Sequence, residues 1–529
     1  MKFNTIRFWR ATIAGITLGI FCVASPADAK VQRGARQIQL VKKDTSRPLR
    51  DIAPAPRPAG VNFIRENPQF IEKAPFRPDG AMQTSTSVSS NAPTTISQFE
   101  GVGEGLGGYN AIYVPPDTNG DVDGSYFVQT VNVDLAVFSK STGSAVLGPV
   151  SINTLWDGFG GDCEFTNDGD PIVTYDQFTG RWIISQFAAT NTPYLECVAV
   201  STTSNPTGTY HRYAYSFGSD FPDYPKVGVW PTEDAYFITF NMFAPSYLEA
   251  RVCAFQTSKL IAGSANTMQC FATPTASLLA ADLDGTTLPA AGTDGYAVAR
   301  SGSGLVSWRI NLDWNNSSNS TFSGPTTVSG VASYSNACSG GGTCITQPKP
   351  AAKLDSLGSR LMHRAAYRIV GGQASLVLNH SVTTSFVSGR KTTTSAGVRW
   401  YELRPSGSAL SVHQQGTFAP DATFRWMGSI AMDKLGNIGL GYSASSGTLY
   451  PSIRYTGRLA SDLLNTMQTE ATIINGSGSQ QQYTRWGDYS SLAPDPDGCR
   501  LWYTTEYLAE KGSFNWHTRI ASFKFSNCN

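Results

Sequence analysis

Apolar and polar positions alternate along this chain in short runs, with no long helical stripe. From about residue 98 onward it is a succession of units, each opening on a polar turn and continuing into an apolar or alternating strand. The openings are "PPDTNGDVDGSYFVQTVN", "NDGDPIVTYDQFTGRWIISQF", "FPDYPKVGVWPTEDAYFITFN", "AAGTDGYAVAR", "LMHRAAYRIVGG", "FRWMGSIAMDKLGNIGLGYS" and "TRWGDYSSLAPDPDGCRLWYTTEY". They recur every fifty to seventy residues or about that, which is a repeat signal. Several units share one grammar: a strand, a turn such as "DQFTGRW", "DKLGN" or "DPDGCRLW", then a second strand ending in aromatics. Asp, Gly and Asn suit the left-handed backbone of tight hairpins. Third and fourth strands follow in the better-defined units, as in "LECVAVSTT" and "YHRYAYSF".

Antiparallel four-stranded repeats of this size predict an all-β fold, a single β-propeller of seven blades with disulfides inside the blades. Six or eight blades stay open as alternatives, because the unit from about 278 to 345 is irregular. A string of immunoglobulin-like sandwiches would need longer repeats and a different Cys and Trp arrangement. Length agrees with one large repetitive fold, since 529 residues exceed the usual single domain. So does composition: 51 glycines and only 15% charged residues favour short strands over helices.

The first thirty residues break the pattern. A basic start, an apolar run from Ala11 to about Ala24, and Ala27-Asp28-Ala29 before Lys30 form a secretory signal over residues 1–29. Residues 30–97 are first basic and proline-rich, then Ser/Thr-rich, and read as a linker, a pro-segment or a loosely wrapped arm. The propeller is expected over 98–529.

Of nine cysteines, Cys22 leaves with the signal. The other eight fall in sequential couples, Cys163 with Cys197, Cys253 with Cys270, Cys338 with Cys344 and Cys499 with Cys528, predicting four disulfides in an oxidising compartment. A zinc site is disfavoured, because no C-x-x-C occurs and the five histidines are scattered. The expected location is outside the cytoplasm, extracellular or periplasmic, as a monomer without a membrane span. A net charge of +1 gives no field for nucleic acid.

The motifs "PPDTNG", "DYPK" and "WGDYSSL" resemble those of secreted bacterial β-propeller proteins, over roughly residues 100–528. The resemblance implies fold and export, and it supplies no catalytic residues.

In a propeller the start of each innermost strand lies beside the central channel. That would bring Asp117, Asp170, Asp223, Tyr224, Lys226, His363, Arg364, Arg425, Trp426, Arg485, Trp486, Asp488 and Tyr489 to one funnel. Arg364, Arg425 and Arg485 suggest an acidic ligand, such as a uronic or sialic acid unit, because guanidinium forks hold carboxylate or sulfate in charge-assisted pairs. Trp426 and Trp486 could stack on a sugar, and Tyr224 and Lys226 complete the ligand-binding candidates. Asp223 with Asp488 could act as acid and base on a glycosidic bond, or His363 or Tyr489 could abstract a proton beside a held uronate. The bland reading is that arginines and aspartates tie blades together and tryptophans pack between them.

"DTNGDVDG" places Asp117, Asn119, Asp121 and Asp123 in an alternation that can wrap calcium, although it lacks the closing glutamate of an EF-hand. No G-x-S-x-G elbow, P-loop or H-E-x-x-H occurs. Two functions follow: a propeller that binds, or cleaves as a hydrolase or lyase, an acidic polysaccharide or glycoconjugate at its funnel, or a non-catalytic propeller presenting loops to an extracellular protein. The first requires an open cavity with unpaired Arg and Asp, the second a narrow channel in which each Arg is already paired.

Overall fold

The computed structural model describes residues 30–57, 63–64, 75–83, 92–349 and 351–529; the expected signal segment and Cys22 lie outside these. The described chain is all-β, built from seven antiparallel meanders in chain order. Their leading strands are Asn119–Val122, Gly169–Asp176, Phe221–Trp230, Leu279–Leu283, Ala365–Val370, Phe424–Met432 and Ser491–Pro494. Each meander steps away from its leading strand, and within the first six the order of their four strands in the sheet follows order in the chain.

The leading strands touch in a closed cycle, the seventh returning to the first. Polar side chains tie each step. Asn119 Oδ1 accepts from Val173 N at 2.8 Å, Asp176 Oδ2 from Tyr236 Oη at 2.7 Å, and Asp282 Oδ1 from Val229 N at 3.0 Å. Arg364 reaches back to Asp282, Arg368 Nη1 donates to Met432 O at 3.1 Å, and Leu492 N donates to Ser429 Oγ at 2.9 Å. Ser491 Oγ closes the cycle on Gly120 O at 2.6 Å. Except for the fourth and fifth, a leading strand has a sheet partner on one side only, and its buried free edge needs hydrogen-bond partners from elsewhere. The polar openings of the units therefore have an architectural function.

The seven meanders are not seven separate sheets. The fourth and fifth fuse into one ten-stranded sheet, because Leu279–Leu283 and Ala365–Val370 pair in parallel with Ala281 opposite Ala365 and Asp282 opposite Ala366. Alanines at the contact let the backbones approach. The third and fourth leading strands come equally close: a Cβ on Gly228 would stand 2.6 Å from Ala281 O.

Two expectations are corrected here. "AAGTDGYAVAR" does not open a unit; its strand, Gly295–Ser301, is the second of the fourth meander, whose leading strand is the less conspicuous "LAADL". The irregular stretch also resolves: that meander ends at Thr321–Thr327, and residues 328–364 are an insertion laid between the fourth and fifth meanders.

Residues 30–97 are in part a firmly paired arm. Val31–Arg33, Arg36–Ile38 and Leu40–Thr45 add a fifth strand to the fourth, third and second meanders in turn, and Thr94–Glu100 supplies the fourth strand of the seventh. Alternation in so short a run is hard to see, yet an outer edge strand needs only backbone groups to pair. Arg212 Nε and Nη2 hold Asp44 of the arm at 2.8 and 2.6 Å.

All four disulfides form as the cysteine couples predict, Cys163–Cys197, Cys253–Cys270, Cys338–Cys344 and Cys499–Cys528. Cys338–Cys344 lies in the insertion and not within a meander. No helix among the described residues is long and apolar enough to cross a membrane.

Candidate functional site

The openings of the leading strands share a backbone device. Asp117, Asp170, Tyr224, Ser277, Met427 and Asp488 all have φ between 45° and 60°, so six of the seven openings hold a non-glycine residue in the left-handed region. Three coincide with irregular register in the strand pairing, at Gly169/Ile172, Asp223/Lys226 and Trp426/Ser429. A bulge there turns the next side chain toward the axis. Each such residue costs about 1–3 kcal/mol and is often a mark of a functional site. Recurrence in six units makes it a property of the architecture here.

Around the axis these turns gather most of the predicted residues. Asp117, Asp170, Asp223, Tyr224, Lys226, His363, Arg485, Asp488 and Tyr489 form one cluster, joined by Arg360, Asp355 and Glu506. Tyr489 Oη donates to Asp170 Oδ2 at 3.0 Å, Tyr224 Oη donates to Asp488 O at 3.3 Å, and Arg485 bridges Asp488 and Asp355, the latter at 3.2 Å. Lys226 Nζ lies 3.2 Å from the Tyr224 ring centroid and 3.4 Å from that of Tyr489, and it donates to Pro225 O at 3.0 Å. The Arg360 guanidinium lies 4.6 Å from the Tyr224 centroid.

Apart from a half-buried Asp223, this cluster is closed to solvent. Val102 and Tyr109, Leu357 and Met362 of the insertion, Trp486 before Ser491 and Trp516 of the seventh meander share one hydrophobic core. Burial sets the protonation states. It pushes the Asp117 carboxyl well above its usual range, with Asp488 and Asp170 adding repulsion, and raises Asp223 to about 7. It holds the Lys226 ammonium well below the lysine range and, together with Lys226 and Arg364, keeps His363 neutral.

A second layer lies beside the first. Arg364 holds Asp282 at 2.6 Å and Asp284 at 2.6 and 2.7 Å, and donates to Leu492 O at 3.3 Å. Burial lifts Asp284 to about 6 and Asp121 to about 7, against the pull of Arg364 on both.

The predicted arginine trio does not converge. Arg425 sits off the axis, where its Nε donates to Glu470 Oε2 at 2.7 Å, its Nη1 donates to Asp421 Oδ1 at 2.9 Å, and it packs 5.7 Å from the Phe418 centroid. A guanidinium on an edge-proximal residue of the strand points across its own sheet. Trp426 and Trp486 are fully buried with centroids 5.8 Å apart, and Trp486 Nε1 donates to Ser443 Oγ at 3.1 Å, so they pack between meanders and offer no face to a sugar.

The four residues of the calcium pattern do not gather on one point. Asp117 belongs to the axial cluster; Asn119 and Asp121 cap the amides of Val173 and of Val122 and Tyr175; Asp123 accepts from Ser125 and Tyr126 N, both at 2.6 Å. Among the described residues no group of three His, Cys, Asp or Glu could hold a metal.

Sequence reasoning missed Arg360, Asp355, Asp282, Asp284 and Glu506. The alternating carboxylates of "ADLDG" are a usable signal for Asp282 and Asp284. Arg360 and Asp355 come from the insertion, which has no period to read.

Two of the surface clefts among the described residues are large enough to hold a ligand. One of about 720 Å³ lies between the second and third meanders and is lined by Phe187, Tyr194, Phe221, Phe243 and Asp168. The other, about 850 Å³, lies between the insertion, the arm at Pro75–Arg77 and the long hairpin of Gln373–Ser388 with Lys391–Ser406.

No protein-family model and no curated protein matches the chain. Among solved structures it is similar to the N-terminal domain of Nup159 at 8% identity (84% of this chain, 100% of that one, TM-score 0.36). It is similar to polysaccharide lyase Uly1 at 12% (84% and 99%, TM-score 0.35) and to Hadza microbial sialidase Hz136 at 12% (76% and 74%, TM-score 0.33). At this level of likeness, fold and function rest on the chain's own geometry.

Proposed function

We propose that the chain is a single seven-bladed β-propeller that acts outside the cytoplasm as a binding protein, with its axial cluster serving closure of the ring and no catalysis. The closed cycle of seven leading strands, with the N-terminal strand Thr94–Glu100 completing the last meander, supports the fold. One observation carries the function: each arginine put forward as a ligand holder already grips carboxylates, Arg364 two, Arg425 two and Arg485 two. A site that must receive an acid would need those donors in hand. Export is supported by the four disulfides.

For the ligand we retain an acidic glycan, bound at the surface and not in the channel. A cleft of about 850 Å³ is of the size that small-molecule and oligosaccharide ligands fill. The protein without residues 1–29 is to be incubated with acidic and neutral polysaccharides while chain length and binding are followed. The expected result is binding without shortening. Shortening that disappears in Asp223→Asn or Asp488→Asn would overturn the non-catalytic reading and restore the channel as an active site.

A further inference from the structure

We infer that the 850 Å³ cleft beside the Cys338–Cys344 loop is the binding site for an anionic, polyhydroxylated oligosaccharide, one carrying uronate or sulfate groups; this rests on the glycan-binding reading above. Among the described residues its lining holds two cations, Arg77 and Lys353, and no Asp or Glu. Lys353 is exposed and has neither an ion pair nor a hydrogen bond among the described residues. Arg77 spends one contact on a neutral partner, Nη1 to Ser303 Oγ at 3.0 Å, and keeps its charge uncompensated by any carboxylate among the described residues. This is the reverse of the axial arginines.

The remaining lining suits a sugar. Thr343 and Thr394 present exposed hydroxyls, and Phe76, 61% exposed, offers a ring at the mouth. Hydroxyls pair with sugar hydroxyls and an aromatic face packs on a pyranose, while the cations hold the acid groups. The other cleft fits such a ligand poorly: its walls are aromatic, and its charged group, Asp168, already accepts from Ala189 N, Thr190 N and Thr190 Oγ1.

The wall is held in place before any ligand arrives. The disulfide ties the loop, and Arg300 fastens it from behind, Nη1 donating to Ser359 O at 2.7 Å and Nε to Tyr334 Oη at 3.2 Å. Thr383 Oγ1 donates to Asn336 O at 2.7 Å, joining the insertion to the long hairpin. Ser335 accepts from Arg77 N at 2.7 Å and donates to Arg77 O at 3.1 Å, so the arm carrying Arg77 is seated on the same loop. A preorganised wall loses little entropy on binding.

The test uses three hexasaccharide probes, a galacturonic acid oligomer, a sulfated oligomer and neutral maltohexaose, titrated against the protein and against the Arg77→Gln/Lys353→Gln double variant. Both substituted groups are exposed, so an unchanged melting temperature verifies folding. The expected result is salt-sensitive binding of an acidic probe, no binding of the neutral one, and at least a tenfold weaker Kd in the double variant. Equal affinity of the double variant would overturn the site while leaving the glycan reading standing. Failure of the parent protein to bind either acidic probe would overturn both, and equal binding of maltohexaose would overturn the claim for an acidic ligand.

Discussion

The Arg364 guanidinium holds both oxygens of the Asp284 carboxylate, at 2.6 and 2.7 Å, within a site buried from solvent. The pair belongs to the fourth-to-fifth step of the ring, beside the parallel contact of Ala281 and Ala365. Arg364→Ala would leave Asp282 and Asp284 buried without their ion-pair partner, at a cost of about 3–5 kcal/mol. Denaturant unfolding should show that loss. A fully stable variant with weakened glycan binding would instead mean that Arg364 is a ligand holder.

Stability should fall as pH rises from about 4 to 7. Asp223 and Asp121 are raised to about 7 and Asp284 to about 6, so in this window the folded state binds protons that the unfolded state has released. The sign is set by that excess: ionising these groups costs more in the fold than in the open chain, and the unfolding free energy declines with pH. A three-unit shift amounts to at most about 4 kcal/mol per group. The melting temperature should be higher near pH 5 than near pH 7.5, with a shallower slope in Asp223→Asn. A curve that rises through this range would contradict the assignment.

Much of the fold was legible because strands and turns leave local signatures. Six of the seven openings were located, and all four cysteine couples closed as their order suggests. The fourth opening was misread because "LAADL" is short and its partner strand Gly295–Ser301 carries the stronger turn. The site was less legible. Position along the chain marked Asp117, Asp170, Tyr224 and Asp488 as strand openings, and all four adopt the same left-handed turn. It could not tell that Arg425 would cross its own sheet to Glu470, or that an insertion without periodicity would bring Arg360 against Tyr224. Pairing and exposure are long-range properties.

Removing residues 30–46 should destabilise the protein and promote association. The arm covers the outer edges of three adjacent meanders, and its loss would expose unpaired strand edges and leave Arg212, 3% exposed, without Asp44. A lower melting temperature with increased light scattering is expected. An unaffected monomer would show the arm to be dispensable packing.

A chelator should leave the melting temperature unchanged. Asp121 and Asp123 each accept two backbone N–H groups, which ties Asp121 to the neighbouring strand and Asp123 to its own turn, away from a shared point. A calcium ion bound in the native state would stabilise it, and its removal would lower the melting temperature. Such a drop would restore the calcium reading of "DTNGDVDG".

The two disulfides of most different span should separate stability from binding. Cys163–Cys197 spans 34 residues and joins the turn before the second meander to its third strand; Cys338–Cys344 spans 6 and lies in the wall of the larger cleft. Loop-closure entropy assigns roughly 4 kcal/mol to the first and roughly 2 kcal/mol to the second. Serine pairs at 163 and 197 should therefore lower stability more, yet leave affinity for an acidic oligosaccharide intact in the protein that remains folded. The Cys338→Ser/Cys344→Ser variant should lose less stability and bind the acidic oligosaccharide more weakly, because the loop bearing Ser339 and Thr343 loses its tether and must be ordered by the ligand. If the second pair changes stability alone, the loop is not part of a binding site.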